Sequence, residues 1–333
     1  MNETVKRGGM ALRRLKQIWK DWMLPIAMAA GVASYLIYHS IPALAPAGPY
    51  LEKAVKVIQP MLMFIMLFLS FCRIAPRQLR PHRWQFWLLL IQVAGFVVPG
   101  AVLAFCGEGH GSLLVESFMI CMICPTATAA AVITGKLGGD MPGIITYTIL
   151  INIVTALVVP AVVPLVHPTA GISFGTAFCL IMAKTFPLLI MPCLCAWLVR
   201  FLLPAFHRWI LHFNDLALYL WSVSLPLAIA VTTRAIVKSG IPVGYMAGMA
   251  GVSLLCCVLQ FWAGRRIGAK RGSSITAGQA LGQKNTVFAI WMAYTFMTPV
   301  TSIAGGFYSL WHNLFNSWQL YRQGHATEKT PWM

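Results

Sequence analysis

Long apolar stretches separated by short polar segments make up nearly the whole chain. Ten of them are long enough to cross the hydrocarbon core of a bilayer, for which a helix needs about 20 residues. They lie at residues 22–39, 54–72, 84–105, 113–135, 141–166, 174–199, 213–233, 242–262, 273–296 and 300–318. The pattern predicts an all-α, polytopic membrane protein with about ten transmembrane helices.

Composition favours the same class of protein. Hydrophobic residues make up 59% of the chain and charged residues 10%, and the mean hydropathy is +0.74. Soluble domains carry about 25% charged residues. The polar segments between the apolar stretches are too short for a soluble domain, so we expect any function to lie within the membrane.

The basic residues predict an orientation, because cytoplasmic loops are enriched in Lys and Arg. If both termini are cytoplasmic, 19 of the 25 Lys and Arg residues lie inside, and Lys184 and Lys284 fall within spans. The four on the outer side are Lys53, Lys56, Arg234 and Lys238. Anionic lipid headgroups then account for the net charge of +17, and no nucleic acid is needed as a partner. We expect a bacterial inner (cytoplasmic) membrane.

Two polar interruptions, one in the fourth and one in the ninth apolar stretch, predict an internal duplication. The first is Cys124 to Thr128 and the second is Gly278 to Thr286. Helix breakers and amides persist at bilayer depth mainly where protein or a wet cavity satisfies the backbone, and a matched pair points to a transport site. Five crossings per unit make the second unit inverted. We therefore predict a cytoplasmic segment 1–21, five-helix repeats at 22–166 and 167–318, and a cytoplasmic tail 319–333.

These residues resemble the bile acid:sodium symporter superfamily. Its fourth span reads Cys-Pro-Gly-Gly-Thr-Ala-Ser-Asn, where this chain has Cys124 to Ala131, and a Gly-Asp turn follows in both, here ending at Asp140. Its ninth span carries Glu-x-Gly-Met-Gln-Asn-Ser-Gly, similar to Gln279 to Thr286. The resemblance implies discontinuous, crossing fourth and ninth helices, and a core that moves against a panel containing spans one, two, six and seven.

The departures from this family concern its sodium ligands. Where members supply Ser, Asn and Glu, this chain has Ala130, Ala131 and Gln279. An alignment shifted by one residue places Ala280 opposite the Glu, and the carboxylate is missing either way. Sodium prefers several oxygen ligands, and Lys284 would repel a cation at short range. We expect no sodium coupling at the family sites.

Lys284 is the candidate residue of greatest weight. A lysine in mid-span costs about 3 kcal/mol on insertion scales, and the middle of a 24-residue stretch is too deep for snorkelling. We expect it to replace the ion or to carry a coupling proton. The alternative is a permanent structural pair with Glu116 or with carbonyl groups at a helix end.

The predicted substrate is a small organic anion, because a half-helix N-terminus at Thr126 would present free amides to a negative charge. Lys184 either pairs with Glu116 or contacts the substrate. Asn152 and Thr155 share a helix face in the fifth span, and they either contribute to the site or bond between helices. The full predicted binding set is Thr126, Thr128, Asn152, Thr155, Lys184, Gln279, Gln283, Lys284, Asn285 and Thr286. Asn313, Asn316 and Trp318 are interpreted as interfacial anchors.

Two other functional classes compete with a secondary transporter. A membrane enzyme would use Cys121 and Cys124 as a dithiol, although no second pair or nearby His accompanies them. A sensor or scaffold with a degraded site would bind a ligand without moving it. We expect no enzyme activity, no cofactor and no metal.

Overall fold

The structure is a computed structural model that describes residues 26–107, 111–168, 171–213 and 216–328. The predicted basic segment 1–21 lies outside the described residues, as do residues 329–333 of the predicted tail. The described part is helical throughout, and its only extended pairing is one isolated bridge between Thr126 and Lys284. The all-α class is confirmed for these residues.

The described residues form fourteen helices, which are numbered in chain order. They are α1 (Ile26–Ser40), α2 (Gly48–Cys72), α3 (Arg83–Cys106), α4 (Ser112–Ile123), α5 (Ala130–Lys136), α6 (Met141–Val166), α7 (Phe174–Leu189), α8 (Met191–Leu202), α9 (Pro204–Leu211), α10 (Leu216–Ser239), α11 (Val243–Ala269), α12 (Ser274–Gly282), α13 (Thr286–Phe296) and α14 (Ser302–Glu328). Short 3-10 turns precede α2 and lie between α2 and α3.

The length and composition of the helices indicate a multi-pass integral membrane protein. Five helices in the described part are long and apolar enough to cross a bilayer, and α7 with α8, bent by 40°, makes a sixth if the pair is one span. Helices α1, α4 and α13 are apolar but shorter. The figure of ten crossings and the inverted orientation of the second half stay predictions.

Many helix ends lie within a few residues of the sequence pattern, and two of the larger differences are at the start of α2 and the end of α14. Helix α2 begins at Gly48, before the predicted start at residue 54, because Pro49 can occupy the first turn without losing a hydrogen bond. Helix α14 continues past the predicted end of the last span at residue 318 to Glu328, within the segment that the sequence predicts as a cytoplasmic tail. The helix persists there because Gln319 is buried and accepts a hydrogen bond from the Arg265 guanidinium of α11.

The helices pack in two groups that contact each other through α13, between α6 and α7, and between α10 and α14. In one group α2 packs against α7, α8 and α10, and α1 rests on α10 through Ala27 and Ile229. In the other group α11 packs against α4, α12 and α14, and α3 packs against α4 and α6. Helix α13 contacts α14 on one side and α2 and α10 on the other. A site beside α13 is therefore shared between the two groups.

Glycine brings α11 unusually close to α12. A Cβ added at Gly264 would lie 2.4 Å from the Ala277 carbonyl oxygen, and one added at Gly268 would lie 2.5 Å from that of Ser273. The four-residue spacing puts both glycines on one face of α11, as in the small-residue contacts of membrane helices. This contact fixes α12, and hence the break that follows it.

Candidate functional site

The first helix break lies between α4 and α5. Helix α4 ends at Ile123, and Pro125 cannot continue it, since proline lacks an amide hydrogen and clashes with the preceding turn. The chain stays extended or turning until Ala130 starts α5. The predicted interruption at Pro125 is thus a break in the helix.

The second break lies between α12 and α13. Helix α12 ends at Gly282, and Asn285 caps α13 by accepting a hydrogen bond from the Phe288 amide at 3.2 Å. An N-cap asparagine satisfies an amide that the first helical turn leaves free. Only Gln283, Lys284 and Asn285 separate the two helices.

The two breaks meet and pair through their backbones. Thr126 and Lys284 form an antiparallel bridge, the Ala127 amide donates to the Gln283 carbonyl at 2.9 Å, and the Asn285 amide donates to the Pro125 carbonyl at 2.8 Å. These bonds satisfy groups that a helix would otherwise pair internally. The Ala127 amide is therefore already used, and is not one of the free amides expected to face an anion.

Side chains from neighbouring helices satisfy the carbonyl groups at the end of α4. Gln92 of α3 donates to Met122 at 2.8 Å and to Cys124 at 3.1 Å. Gln260 of α11 donates to Cys121, and Thr155 of α6 donates to Ile123, each at 3.2 Å. Each donor comes from a different helix. The break is therefore a built feature of the protein interior, since unpaired carbonyls there would each cost about 1–3 kcal/mol.

The Lys284 side chain is enclosed at this crossing. It is 1% exposed, and its Nζ donates to the Met122 carbonyl at 3.2 Å. Its backbone amide donates to Nδ1 of the buried His312 at 3.3 Å. The ammonium thus lies at the C-terminal, negative end of α4, where a cation is stabilised. Its partner is a carbonyl group at a helix end, one of the two structural alternatives considered above.

The other predicted residues near the breaks have mixed positions. Thr126 and Asn285 belong to the crossing itself: the Thr126 hydroxyl donates to the Ala280 carbonyl and the Asn285 carbonyl accepts from the Cys124 thiol, each at 2.8 Å. Gln283 is buried and its side-chain oxygen has no partner among the described residues. Thr286 is buried in the first turn of α13.

Four residues of the predicted binding set take no part in the bridge between the two breaks. Thr128 is only half buried. Gln279 faces α14, donating to Asn316 at 3.1 Å. Asn152 donates to the Leu189 carbonyl at the end of α7, a bond between helices, whereas Thr155 reaches the crossing through Ile123. The fifth-span pair therefore divides between two sites.

Lys184 and Glu116 do not pair. Lys184 is exposed, and its Nζ lies 5.6 Å from the centre of the Phe296 ring. The buried Glu116 carboxylate instead accepts a hydrogen bond from Thr301 at 2.5 Å and lies 3.4 Å from His167 Nε2. The Lys284 ammonium bonds to the Met122 carbonyl instead. Neither lysine therefore has Glu116 as its partner.

A stripe of buried polar residues runs along α14, and two of them, Asn316 and Gln319, contact Gln279 of α12. Asn313 and Asn316 are buried, which corrects their interpretation as interfacial anchors, while Trp318 is exposed. The stripe consists of Ser309, His312, Asn313, Asn316 and Gln319. Its spacing of three and four residues was the signal that places these side chains on one helix face. Several of its polar atoms have no partner among the described residues.

A cavity of about 430 Å³ lies among α1, α2, α10 and α13. It has the size of a small-molecule site, and it is not lined by the crossing residues. Its charged lining residues are Glu52, Lys56, Arg234 and Lys238, and its aromatic ones include Tyr35, Tyr38, Trp291 and Tyr294. Sequence reasoning missed this site, although three of the four basic residues assigned to the outer side line it.

An ion pair with a tyrosine partner crosses this cavity. The Arg234 guanidinium approaches the two oxygens of Glu52 at 2.8 and 2.9 Å. The Tyr294 hydroxyl donates to Glu52 Oε1 at 2.6 Å, and Lys56 Nζ lies 5.9 Å from the Tyr294 ring centre. The cluster connects α2 and α10 with α13.

The thiols and other potential metal ligands show no assembled centre in the described part of the chain. No group of three or more His, Cys, Asp or Glu residues there could hold a metal ion. Cys121 and Cys124 are buried free thiols, and Cys124 is engaged with Asn285. The cysteine spacing therefore corresponds to side chains packed at the end of α4.

Comparison with known proteins does not assign a family. No known protein-family model matches the chain, and no curated protein matches it with significant similarity.

Proposed function

We propose that the protein is a secondary transporter of a small organic anion and that it works without sodium at the family's ion sites. The observation that carries this proposal is the backbone pairing of two helix breaks, Thr126 with Lys284, in the protein interior. Broken helices that meet at membrane depth are the usual construction of a transport site.

The cavity supports an anionic substrate. Lys56, Arg234 and Lys238 line it together with a single carboxylate, Glu52. Cationic side chains that outnumber the carboxylates in a cavity with low-dielectric walls attract and retain anions. The aromatic lining suits a substrate with an apolar body.

Helix α13 connects this cavity to the crossing. It begins at Thr286, directly after the bridge, and Tyr294 reaches the cavity eight residues later, about 12 Å along the helix axis. A displacement of α13 would therefore alter the cavity and the crossing of the two breaks together. We propose that this helix transmits substrate binding to the rearrangement of the core against the panel.

Lys284 takes the role of the missing ion in this proposal. The positions aligned with the family's ligands offer two methyl groups, Ala130 and Ala131, and the amide of Gln279, which is turned toward Asn316. The ammonium of Lys284 instead provides a positive charge at the end of α4. It either substitutes permanently for sodium, giving facilitated movement, or carries a coupling proton, giving symport with protons.

The proposed architecture is a divergent member of the bile acid:sodium symporter superfamily in a bacterial inner membrane. It comprises ten crossings in two inverted five-helix repeats, with both termini cytoplasmic. The order of elements supports this: α4 and α5 form the fourth segment of the first half, and α12 and α13 the fourth of the second. In this orientation the cavity lies toward the outer side, since α2 begins and α10 ends there.

Ligand binding followed by uptake tests the function. Purified protein would be screened by thermal shift against carboxylates and sulfonates, in sodium and in potassium buffers and from pH 5 to 9. The best stabilising anion, radiolabelled, would then be offered to proteoliposomes. We expect saturable uptake above that of protein-free vesicles, with equal rates in sodium and potassium. Uptake that requires sodium would contradict the proposal.

The enclosure of Lys284 gives some support to a second candidate function, a membrane sensor or scaffold. A site whose central lysine is 1% exposed is also what a static structural crossing would contain. A stabilising anion that binds but is not taken up into proteoliposomes would favour this alternative.

Loss of function in a Cys121→Ser variant would instead favour a dithiol enzyme.

A further inference from the structure

Glu52 occupies the position that an acidic ligand would take at Arg234. Both carboxylate oxygens face the guanidinium, at 2.8 and 2.9 Å, the two-pronged geometry with which arginine recognises any carboxylate. The Arg234 and Glu52 side chains are 31% and 29% exposed. The pair therefore stands at the wall of an open cavity, where another anion can reach it.

The same carboxylate links α2 and α10 to α13. Glu52 lies on α2 and Arg234 on α10, which pack on each other, whereas Tyr294 lies on α13. The Tyr294 hydroxyl donates to Glu52 Oε1 at 2.6 Å. If Glu52 turned away from Arg234, this contact between α2 and α13 would weaken with it.

The remaining lining defines the ligand class. Lys56 and Lys238 provide two further cations with no second carboxylate in the cavity lining. Tyr35, Tyr38 and Trp291 provide flat apolar walls, which suit aromatic or alicyclic bodies. The volume of about 430 Å³ accommodates a molecule of one to three rings.

We propose that Glu52 is a built-in counter-ion of Arg234, and that a small organic acid with a ring-containing body binds by displacing it. The ligand's carboxylate takes over Arg234, Glu52 turns toward Lys56, and the Tyr294 contact is released. The consequence for transport, a freed α13, rests on the function proposed above. The binding step stands independently of it.

Direct binding to protein in nanodiscs tests the displacement. The probe is 2-naphthoate, with 2-naphthamide as a neutral probe of nearly the same shape, measured by isothermal titration calorimetry. We expect 2-naphthoate to bind at least about tenfold more tightly than 2-naphthamide, because only the acid can pair with Arg234. Equal affinities would overturn the proposal.

Charge-altering variants separate displacement from general attraction. Glu52→Gln removes the competing charge, so we expect the dissociation constant for 2-naphthoate to fall by about tenfold. Arg234→Gln should raise it by at least about tenfold, with the affinity for 2-naphthamide unchanged. Lys53→Gln is the matched control: it changes the charge next to Glu52 at a side chain outside the cavity lining, and should shift affinity by less than about twofold.

The outcome of Glu52→Gln decides the proposal. An unchanged or weaker affinity for 2-naphthoate in a variant with an unaltered melting temperature would show that Glu52 does not compete with the ligand. If Glu52→Gln itself unfolds, Tyr294→Phe serves in its place. That variant removes the hydroxyl that holds the carboxylate and should strengthen binding by about twofold to fivefold. Unchanged affinity there would equally contradict the displacement.

These results are distinguishable from failure of the proposed function. Tight binding of 2-naphthoate that Glu52→Gln strengthens, without uptake of any anion, would support the displaced counter-ion and refute transport. Uptake of organic anions that Glu52→Gln and Arg234→Gln leave unchanged would support transport and refute the displaced counter-ion.

Discussion

Thr126 and Lys284, from different halves of the chain, form an antiparallel backbone bridge in the interior of the protein. Each residue belongs to a break between two helices, so each supplies backbone groups that its own helices leave unpaired. The bridge satisfies part of this need, and Gln92, Gln260 and Thr155 supply donors for the end of α4. The crossing is thus held by a polar network set among apolar helices.

Gln92 is the side chain on which this network depends most. Its amide nitrogen donates to Met122 and Cys124, and its oxygen accepts from the Tyr147 hydroxyl. Gln92→Leu leaves the Cys124 carbonyl and Tyr147 unpaired, while Met122 keeps Lys284. We expect a loss of about 2–4 kcal/mol in the free energy of unfolding, seen as a lower melting temperature in nanodiscs.

Gln59 is a matched control for Gln92. It is buried in α2, but its amide nitrogen has no hydrogen-bond partner in the described part of the chain. Gln59→Leu should leave the melting temperature unchanged or raise it, because it buries no newly unpaired group. Equal destabilisation by the two substitutions would refute the special role given to Gln92.

The close contact of α11 with α12 predicts a strong effect of one methyl group. Gly264→Ala places a Cβ 2.4 Å from the Ala277 carbonyl oxygen, which forces the helices apart at a cost of about 1–3 kcal/mol. Thermal unfolding would measure this loss. Gly251→Ala, on the same helix with open space around it, should be neutral or slightly stabilising.

If Gly264→Ala were as stable as Gly251→Ala, α12 would not be held against α11 as described. In that case the second break would lack the fixed support that the crossing requires.

Sodium should have no specific effect on stability. The positions where the resemblance places sodium ligands have buried methyl groups at Ala130 and Ala131, and Lys284 adds a positive charge nearby. We expect melting curves in millimolar sodium chloride to coincide with those in potassium chloride at equal ionic strength. A shift of more than about 2 °C with sodium alone would indicate a bound ion, by the linkage of binding to stability.

Much of the fold could be predicted from the sequence because helix-breaking residues and the lengths of apolar stretches are local features of the chain. Pro125 ends α4 by its own covalent structure, and Asn285 begins α13 as a cap, so both breaks could be predicted within a few residues. Local rules could not predict that the two breaks meet, and this expectation came only from the resemblance to a known family.

The cavity could not be predicted in the same way. Glu52 and Arg234 are far apart in the chain and each resembles an ordinary charge near the end of a span. Only tertiary packing of α2 on α10 brings them together. The outer basic residues Lys56, Arg234 and Lys238 were the available signal, yet they were interpreted only as loop charges. Similarly, Asn313 and Asn316 appear interfacial by position, although α14 turns them inward.

Lys284 is the residue on which the proposed transport function depends most directly. Lys284→Met leaves no orphaned carbonyl, since Gln92 still donates to Met122, and replacing a buried charge by an apolar side chain is often neutral or stabilising. We therefore expect the variant to fold, with a melting temperature at or above that of the unaltered protein.

The most direct test is the initial rate of anion uptake into proteoliposomes by the unaltered protein and by Lys284→Met, each in sodium and in potassium. We expect sodium-independent uptake by the unaltered protein and a rate at least about tenfold lower for the folded variant. A folded Lys284→Met protein that takes up the anion at an unchanged rate would contradict this expectation.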